Sequence, residues 1–240
     1  AALATARHMH EWGTTAEQLA SVVVSDRTWA EANPDALRRR PITIEEVGES
    51  PYVATPLRKA DCCPITDGAA AVVLEAAGRE GTQSVRVAGW AEAHRHYSLL
   101  GACDLTTTAA GETGPNALEM AGIGREDIDL VQLYDAFSIL PLIFLEDLGF
   151  CEKGSGGPFV AEGCTLPGGC LPMNTQGGGL SHCHPGQYGL FLVVEAARQL
   201  RGDAPAAAAE VHHVERRFCG ERGHAVERAA QRRRAVVAQS

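Results

Sequence analysis

The stretch NTQGGGLSHCHPGQYG, residues 174–189, holds three consecutive glycines, two histidines flanking a cysteine, then His-Pro-Gly and a tyrosine. Three readings compete for it: a metal site, a phosphate loop, and a turn that aims one imidazole. Zinc sites draw thiolates or imidazoles from spacings such as C-x2-C. Here Cys62 and Cys63 are adjacent, five residues separate Cys164 from Cys170, and His182, Cys183 and His184 are consecutive. None of these is a knuckle spacing, and adjacent residues on a strand point to opposite faces. No metal is therefore expected. A glycine run lets backbone approach a ligand closely, yet G-G-G lacks both nucleotide fingerprints, G-x-G-x-x-G and G-x-x-x-x-G-K. The turn reading fits best. Glycines before the histidine permit a tight bend, and Pro185-Gly186 then fixes the chain direction and opens a helix at about Gln187. An imidazole held there is placed to act as a base or a hydrogen-bond donor. The bland alternative is a buried histidine that satisfies backbone groups. His184 is the functional candidate, and His182 falls behind it.

The rest of the chain reads as an α/β protein. Thr14 and Glu17 have capping-box spacing, which predicts a helix from about Ala16 to Ala32, stopping before Asn33-Pro34. Prolines 41, 51, 56 and 64 then forbid a long element, so this part is a surface excursion that returns to the core at Asp61. GAAAVVLEAA is a buried strand or a buried helix, which periodicity alone does not separate. SVRVAGWAEA partly alternates and reads as a strand, giving an adjacent strand pair. GPNALEMAGIGREDID gives a short amphipathic helix. IDLVQLYDAF is a strand delivering Tyr134 and Asp135 at its C-terminal end. SILPLIFLEDLGF is a helix closed by Gly149, and GLFLVVEAARQLRG is a last helix with Arg198 and Arg201 in its final turn. Alternating helices and strands imply an α/β fold.

Bulk properties exclude several classes. The 240 residues are 45% hydrophobic and 21% charged, enough for a buried core. A net charge of -9 argues against nucleic-acid binding. No apolar run has the length of a membrane span. AALATARHMHEWG has no secretory apolar region and reads as mid-helix, so a cytoplasmic location with free thiols is expected, as is a longer parent protein. His94 and His96, on one face of the expected strand, read as surface or structural, as do His212 and His213. The tail after Gly202 is rich in arginine and alanine with weak periodicity. It reads as divergent or frameshifted sequence, with a helical arm as the alternative.

DCCPITDGAAAVVLE, VQLYDAFS with EDLGFCEKGSGGPFV, and NTQGGGLSHCHPGQYG with EAARQLRG together resemble the thiolase superfamily. The resemblance lies with the sterol-carrier and lipid-transfer-protein thiolases and the thiolase-like aldolases, and spans roughly Ala1 to Gly202. It implies the C-terminal half of a five-layered αβαβα fold, preceded by part of the loop domain. The implied division is 1–60 as the end of the N-terminal and loop region, 61–202 as the C-terminal domain, and 203–240 as the divergent tail. The half carrying the acylated cysteine is absent, so this segment alone is expected to be inactive.

The resemblance implies that His184 is the G-H-P histidine beside the thioester carbonyl, with Cys183 in place of the usual glycine. Tyr134 stands where the family has an Asn or His holding an oxyanion-hole water. Ala136 stands at one of the two places that supply an acid/base cysteine, and the other, a closing C-x-G, is missing. These departures favour retro-aldol cleavage of a lipid or sterol side-chain CoA thioester over acetyl-CoA C-acyltransferase chemistry. A non-catalytic lipid-CoA binding or scaffold subunit is the competing class. Tyr134 and Tyr188 are then the acid–base pair, the base having its pKa lowered by neighbouring donors. His184 and nearby backbone N–H groups hold the enolate oxygen. Asp135, Asn174, Gly178 and Gly179 are expected to line the substrate, with Asp135 orienting neighbours or capping the following helix and Asn174 bracing the turn. Cys62 and Cys63 read as buried small residues, not nucleophiles. Coenzyme A enters as part of the substrate and no other cofactor is implied. A homodimer and a small OB-fold, zinc-ribbon partner are the implied assemblies.

Overall fold

The structure is a computed structural model describing residues 1–76, 84–96, 101–206 and 235–238. The chain opens with helix α1 (Ala2–Trp12), ended by Gly13 at φ 73°. Helix α2 (Ala16–Glu31) follows. Its cap is Thr15, one residue later than expected. The Thr15 hydroxyl accepts from the Gln18 N–H, and the Gln18 side chain accepts from the Thr15 N–H. The reason lies in α1. Thr14 is buried and its hydroxyl is bonded to His8 Nδ1 at 2.7 Å, so it is not available as a cap. His8 in turn meets Glu146 at 3.0 Å with both side chains fully buried, which ties α1 to the core.

The proline-marked excursion forms only short pieces: α3 (Ile44–Glu49), β1 (Tyr52–Ala54) and β2 (Leu57–Arg58), with β1 and β2 antiparallel. It returns to the core at Asp61, whose carboxylate accepts from Ser138 Oγ at 2.7 Å.

The expected strand pair over 68–77 and 84–93 does not form in the described residues of those segments. Val73, Leu74, Val87 and Trp90 are 84%, 79%, 65% and 65% exposed. A strand is specified by a neighbour's hydrogen-bond ladder and a face to cover, and these apolar residues find neither here. The face expected to carry His94 and His96 is therefore absent. His94 is an exposed side chain beside Glu92 at 2.9 Å.

Helix α4 (Ala110–Ala121) starts earlier than the sequence pattern indicates and ends at Gly122, φ 67°. Strand β3 (Leu130–Leu133) lies inside the expected IDLVQLYDAF but ends before Tyr134 and Asp135, while helix α5 (Ile139–Asp147) falls where expected, with Gly149 at φ 75° closing the turn after it. Helix α6 (Gly156–Ala161) and helix α7 (Gly189–Arg201) complete the helical set, and Gly202 at φ 78° ends α7. The main core gathers Leu19, Val22 and Val23 from α2, Val131 and Leu133 from β3, and Leu142 to Leu145 from α5. No helix among the described residues is long and apolar enough to cross a membrane.

Of the tail, residues 207–234 lie outside the described residues, including His212, His213 and Cys219. Its end forms strand β4 (Ala235–Ala238), parallel to β3 in the register Leu130 to Ala235 through Leu133 to Ala238. Parallel pairing needs a long crossover, and α7 lies within it, packed against both strands. The pairing carries the sheet edge up to Tyr134, whose N–H donates to the Ala238 carbonyl at 3.0 Å.

Candidate active site

The glycine stretch enters the site alongside β3. Met173 bridges Val131 in parallel, and the Asn174 N–H donates to the Val131 carbonyl. Asn174 then leaves the extended conformation at φ 50°. Its side-chain oxygen accepts from the Leu133 N–H at 2.8 Å and so extends the ladder by one bond. Gly177 and Gly178 follow at φ 104° and 62°, a region that L side chains seldom enter. The chain then winds through a π-helical turn over Gly178–His182. A Cβ on Gly177 would lie 2.6 Å from Ala30 Cβ, so only glycine lets the turn pass α2 this closely.

Asp135, just past the end of β3, holds this turn from beneath. Its Oδ1 accepts from the Gly179 N–H at 2.7 Å and its Oδ2 from the Leu180 N–H at 3.0 Å. These two amides are therefore committed to Asp135 and do not face a substrate oxyanion. Asp135 and Asn174 are both fully buried. Gly178 and Gly179 close against Asp135 and His184. The four residues expected to line the substrate are buried and pack around the histidine turn.

His184 sits at the exit of the turn. Its N–H donates to Thr66 Oγ1 at 2.9 Å. Its ring stacks on Tyr188 with centroids 5.2 Å apart, and Tyr134 presents an edge contact at 5.3 Å. The tyrosine rings are 6.2 Å apart, so the three rings form one aromatic cluster. His184 Nε2 is buried and makes no hydrogen bond among the described residues. Tyr188 is fully buried, and its hydroxyl accepts from Gln176 Nε2 at 2.8 Å. His182 packs instead against Phe191, with centroids 6.4 Å apart.

Electrostatics revise the expected tyrosine roles. Burial, with smaller contributions from Cys63 and Asp135, pushes the Tyr134 phenol above its ordinary value. Burial pushes Tyr188 well above it. A phenol serves as a base only when its pKa is lowered, so both tyrosines keep their protons at neutral pH, which suits an acid and not the expected base. The thiols follow the same pattern. Burial raises Cys63 to about 11, with Asp135 and Cys62 adding to the shift, and burial followed by Asp135 raises Cys183 to about 11. Since the thiolate is the reactive form, alkylation of both by iodoacetamide should be slow at pH 7. It should still be climbing above pH 9, where an ordinary thiol levels off. Site-resolved mass spectrometry over a pH series checks this, and a plateau near pH 8.5 would count against the raised values.

Sequence reasoning missed Asp26, Arg27, Thr66 and Gln176. Asp26 had a signal: with Leu19, Val22, Val23 and Ala30 it follows helical spacing on the buried face of α2, where an acid is out of place. Arg27 had none, because its bonds to Ser181 Oγ and the Arg40 carbonyl join segments distant in sequence. Among the described residues no group of three or more His, Cys, Asp and Glu side chains gathers to hold a metal ion.

Residues 91–231 match the family model described as Thiolase C-terminal domain-like. An acetyl-CoA acetyltransferase of Methanothermobacter thermautotrophicus is 43% identical over 208 residues, covering 85% of this chain and 54% of that protein. A 17-hydroxy-3-oxo-4-pregnene-20-carboxyl-CoA lyase of Mycobacterium tuberculosis is 35% identical over 222 residues, covering 89% and 57%. Among solved structures, the chain is similar to an Ltp2-ChsH2(DUF35) aldolase, with a TM-score of 0.78 and 32% identity over 88% of this chain and 57% of that one. The chain spans about half the length of the curated relatives it matches. The chain belongs to the thiolase superfamily and has the fold of its C-terminal half.

Proposed function

We propose that the whole protein is an acyl-CoA enzyme that breaks a C–C bond in a lipid or sterol side-chain thioester by retro-aldol cleavage. The observation that carries this reading is Tyr134, a phenol held in its protonated form with its ring 5.3 Å from that of His184. The relative named as a carboxyl-CoA lyase and the structural neighbour named as an aldolase support the same chemistry.

In the proposed reaction a base removes the proton of the β-hydroxyl. The Cα–Cβ bond breaks, its electron pair moves onto the thioester as an enolate, and the β-carbon leaves as a ketone or aldehyde. An acid then protonates Cα, giving the shortened acyl-CoA, and the proton held by the base returns to the acid, which restores both groups. No thiol nucleophile is needed and no redox change occurs. His184 is the base, through a ring nitrogen, Nε2, that no hydrogen bond occupies among the described residues. Asp135 lies beside the ring, and the interaction with His184 lowers its carboxyl against the effect of burial. Tyr134 is the acid. Tyr188 stacks on His184 and, anchored by Gln176, fixes the plane of the ring. Coenzyme A enters as part of the substrate. A homodimer located in the cytoplasm and a small OB-fold, zinc-ribbon partner subunit complete the proposal, the last supported by the two-component name of the aldolase neighbour.

The test separates three readings. Purified whole protein is incubated with a β-hydroxyacyl-CoA bearing a branched steroid side chain, and separately with a β-ketoacyl-CoA plus free CoA. The expected result is a carbonyl product and a shortened acyl-CoA from the first mixture, with no requirement for free CoA. Turnover of the second mixture alone would establish acyl transfer, the reading favoured by the 43% identity to an acetyltransferase. Binding without turnover of either would establish a carrier.

A further inference from the structure

We propose that Asp26 and Asp135 share a single proton and act as one unit that positions the histidine turn. Both side chains are fully buried, Asp26 on α2 and Asp135 past the end of β3. They converge on one point. A Cβ on Gly178 would lie 2.2 Å from Asp135 Oδ2 and 2.9 Å from Asp26 Oδ2. Two ionised carboxylates so close in a buried place repel strongly, and such pairs lose one charge.

The hydrogen bonds decide which residue keeps the proton. Each oxygen of Asp135 receives a backbone N–H, from Gly179 and Leu180, and such bonds favour the charged form. Neither oxygen of Asp26 receives a hydrogen bond from any donor among the described residues, and the Asn174 Nδ2 near it does not close one. Asp26 is therefore the neutral acid, donating to Asp135, and Asp135 carries the charge. Burial first, then the Asp135 charge, push Asp26 well above the carboxylate range. Asp135 is raised less, with burial opposed by Asp26 and the two amides.

Among the described residues Arg27 supplies a positive charge that opposes the rise of Asp26, but burial and the Asp135 charge outweigh it. Arg27, on the same helix, points its guanidinium at Ser181 and the Arg40 carbonyl. Cys63, Cys183, Tyr134 and Tyr188 are all held protonated. His184 lies beside Asp135 and opposes the rise of its carboxyl. A pair with one charge clamps two consecutive amides of the turn and leaves one negative charge for His184 when it takes a proton. A pair with two charges pushes α2 and the turn apart. The catalytic half of this inference rests on the retro-aldol reading; the shared proton does not.

The test therefore has two arms. In the first, thermal unfolding of the wild-type protein and of Asp26→Asn is followed from pH 5 to pH 9, without substrate. The native Asp26 holds a proton that the unfolded chain, with an Asp pKa near ~3.9, has already lost. Its stabilising effect is thus full below pH ~4 and declines as pH rises toward the folded value. Asp26→Asn has no such proton, so it should melt above wild type at pH 8–9, with the gain shrinking toward pH 5. A difference in Tm that does not change with pH overturns the shared proton. In the second arm, kcat is measured against pH. Asp26→Ala should lose about tenfold or more, and Asp26→Asn should recover most of that loss while its alkaline limb moves to higher pH. Equal losses in the two variants with unaltered limbs overturn the positioning role. If Asp26→Ala fails to fold, the limb of Asp26→Asn decides. If neither carbon substrate is turned over but the melting curves behave as stated, the shared proton stands and the reaction reading fails.

Discussion

Tyr134→Phe should lower retro-aldol turnover by about 10² to 10⁴-fold, the usual contribution of a positioned proton donor. The substitution removes one hydroxyl from a half-buried ring and keeps the edge contact with His184. Its effect on stability should be within about 0.5 kcal/mol, as for changes that leave packing intact. The loss should fall on kcat and leave KM nearly unmoved, because the proton is transferred only as the enolate collapses. The upward shift of the phenol also sets the pH behaviour. Tyr134 is an acid with a raised pKa, so its proton is present across the neutral range and is lost only above its ordinary value near ~10. The wild-type profile should then show no Tyr134 limb below pH 9. Steady-state kinetics of both proteins over pH 6–9 checks this. Near-full activity in Tyr134→Phe would remove the residue from the mechanism.

The elements that bury a simple periodic face were legible in the sequence. Helices α2, α5 and α7 lie within about two residues of where pattern and breakers put them, and strand β3 falls inside its expected span but ends before Tyr134 and Asp135. Each has its own signal: a hydroxyl cap, an apolar run of helical length, or a glycine that ends the turn. The cap of α2 was displaced by one residue for a reason no local pattern contains, since Thr14 is held by His8, and His8 by Glu146 far along the chain. The expected pair over 68–77 and 84–93 shows the opposite limit. Alternation states only that a segment can form a strand; a neighbouring ladder decides whether it does.

The site was legible in part. His184, Tyr134 and Tyr188 are brought together as one aromatic cluster, although fifty residues separate the strand exit from the turn. What the sequence did not convey was depth. Asp135 and Asn174 were expected at the substrate and are fully buried. Polar identity does not reveal whether a side chain faces a ligand or braces the backbone that does. The tyrosine base failed on the same ground. A phenol's pKa is set by its burial, and burial is a property of the fold.

The glycines of the turn allow aim to be separated from stability. Gly179→Ala places a Cβ 2.7 Å from His184 Cδ2 and 3.0 Å from Asp135 Oδ1, at a backbone conformation that alanine tolerates. The imidazole must move, and the clamp from Asp135 loosens. Since displacement of a reacting group by about 1 Å costs on the order of 10²-fold, kcat should fall by about that factor. The overpacking should cost about 1–3 kcal/mol of stability. Gly177→Ala meets a different obstacle. Its φ of 104° is strained for alanine, and its Cβ falls 2.6 Å from Ala30 Cβ on α2, away from the histidine ring. The left-handed conformation adds about 1–2 kcal/mol to the same overpacking. Gly177→Ala should therefore lose more stability than Gly179→Ala, and less activity per unit of folded protein. Urea denaturation and kcat measured on the same preparations give both quantities. If activity and stability fell in the same proportion in the two variants, the turn would be a folding element only, and the glycine run would not be there to aim the imidazole.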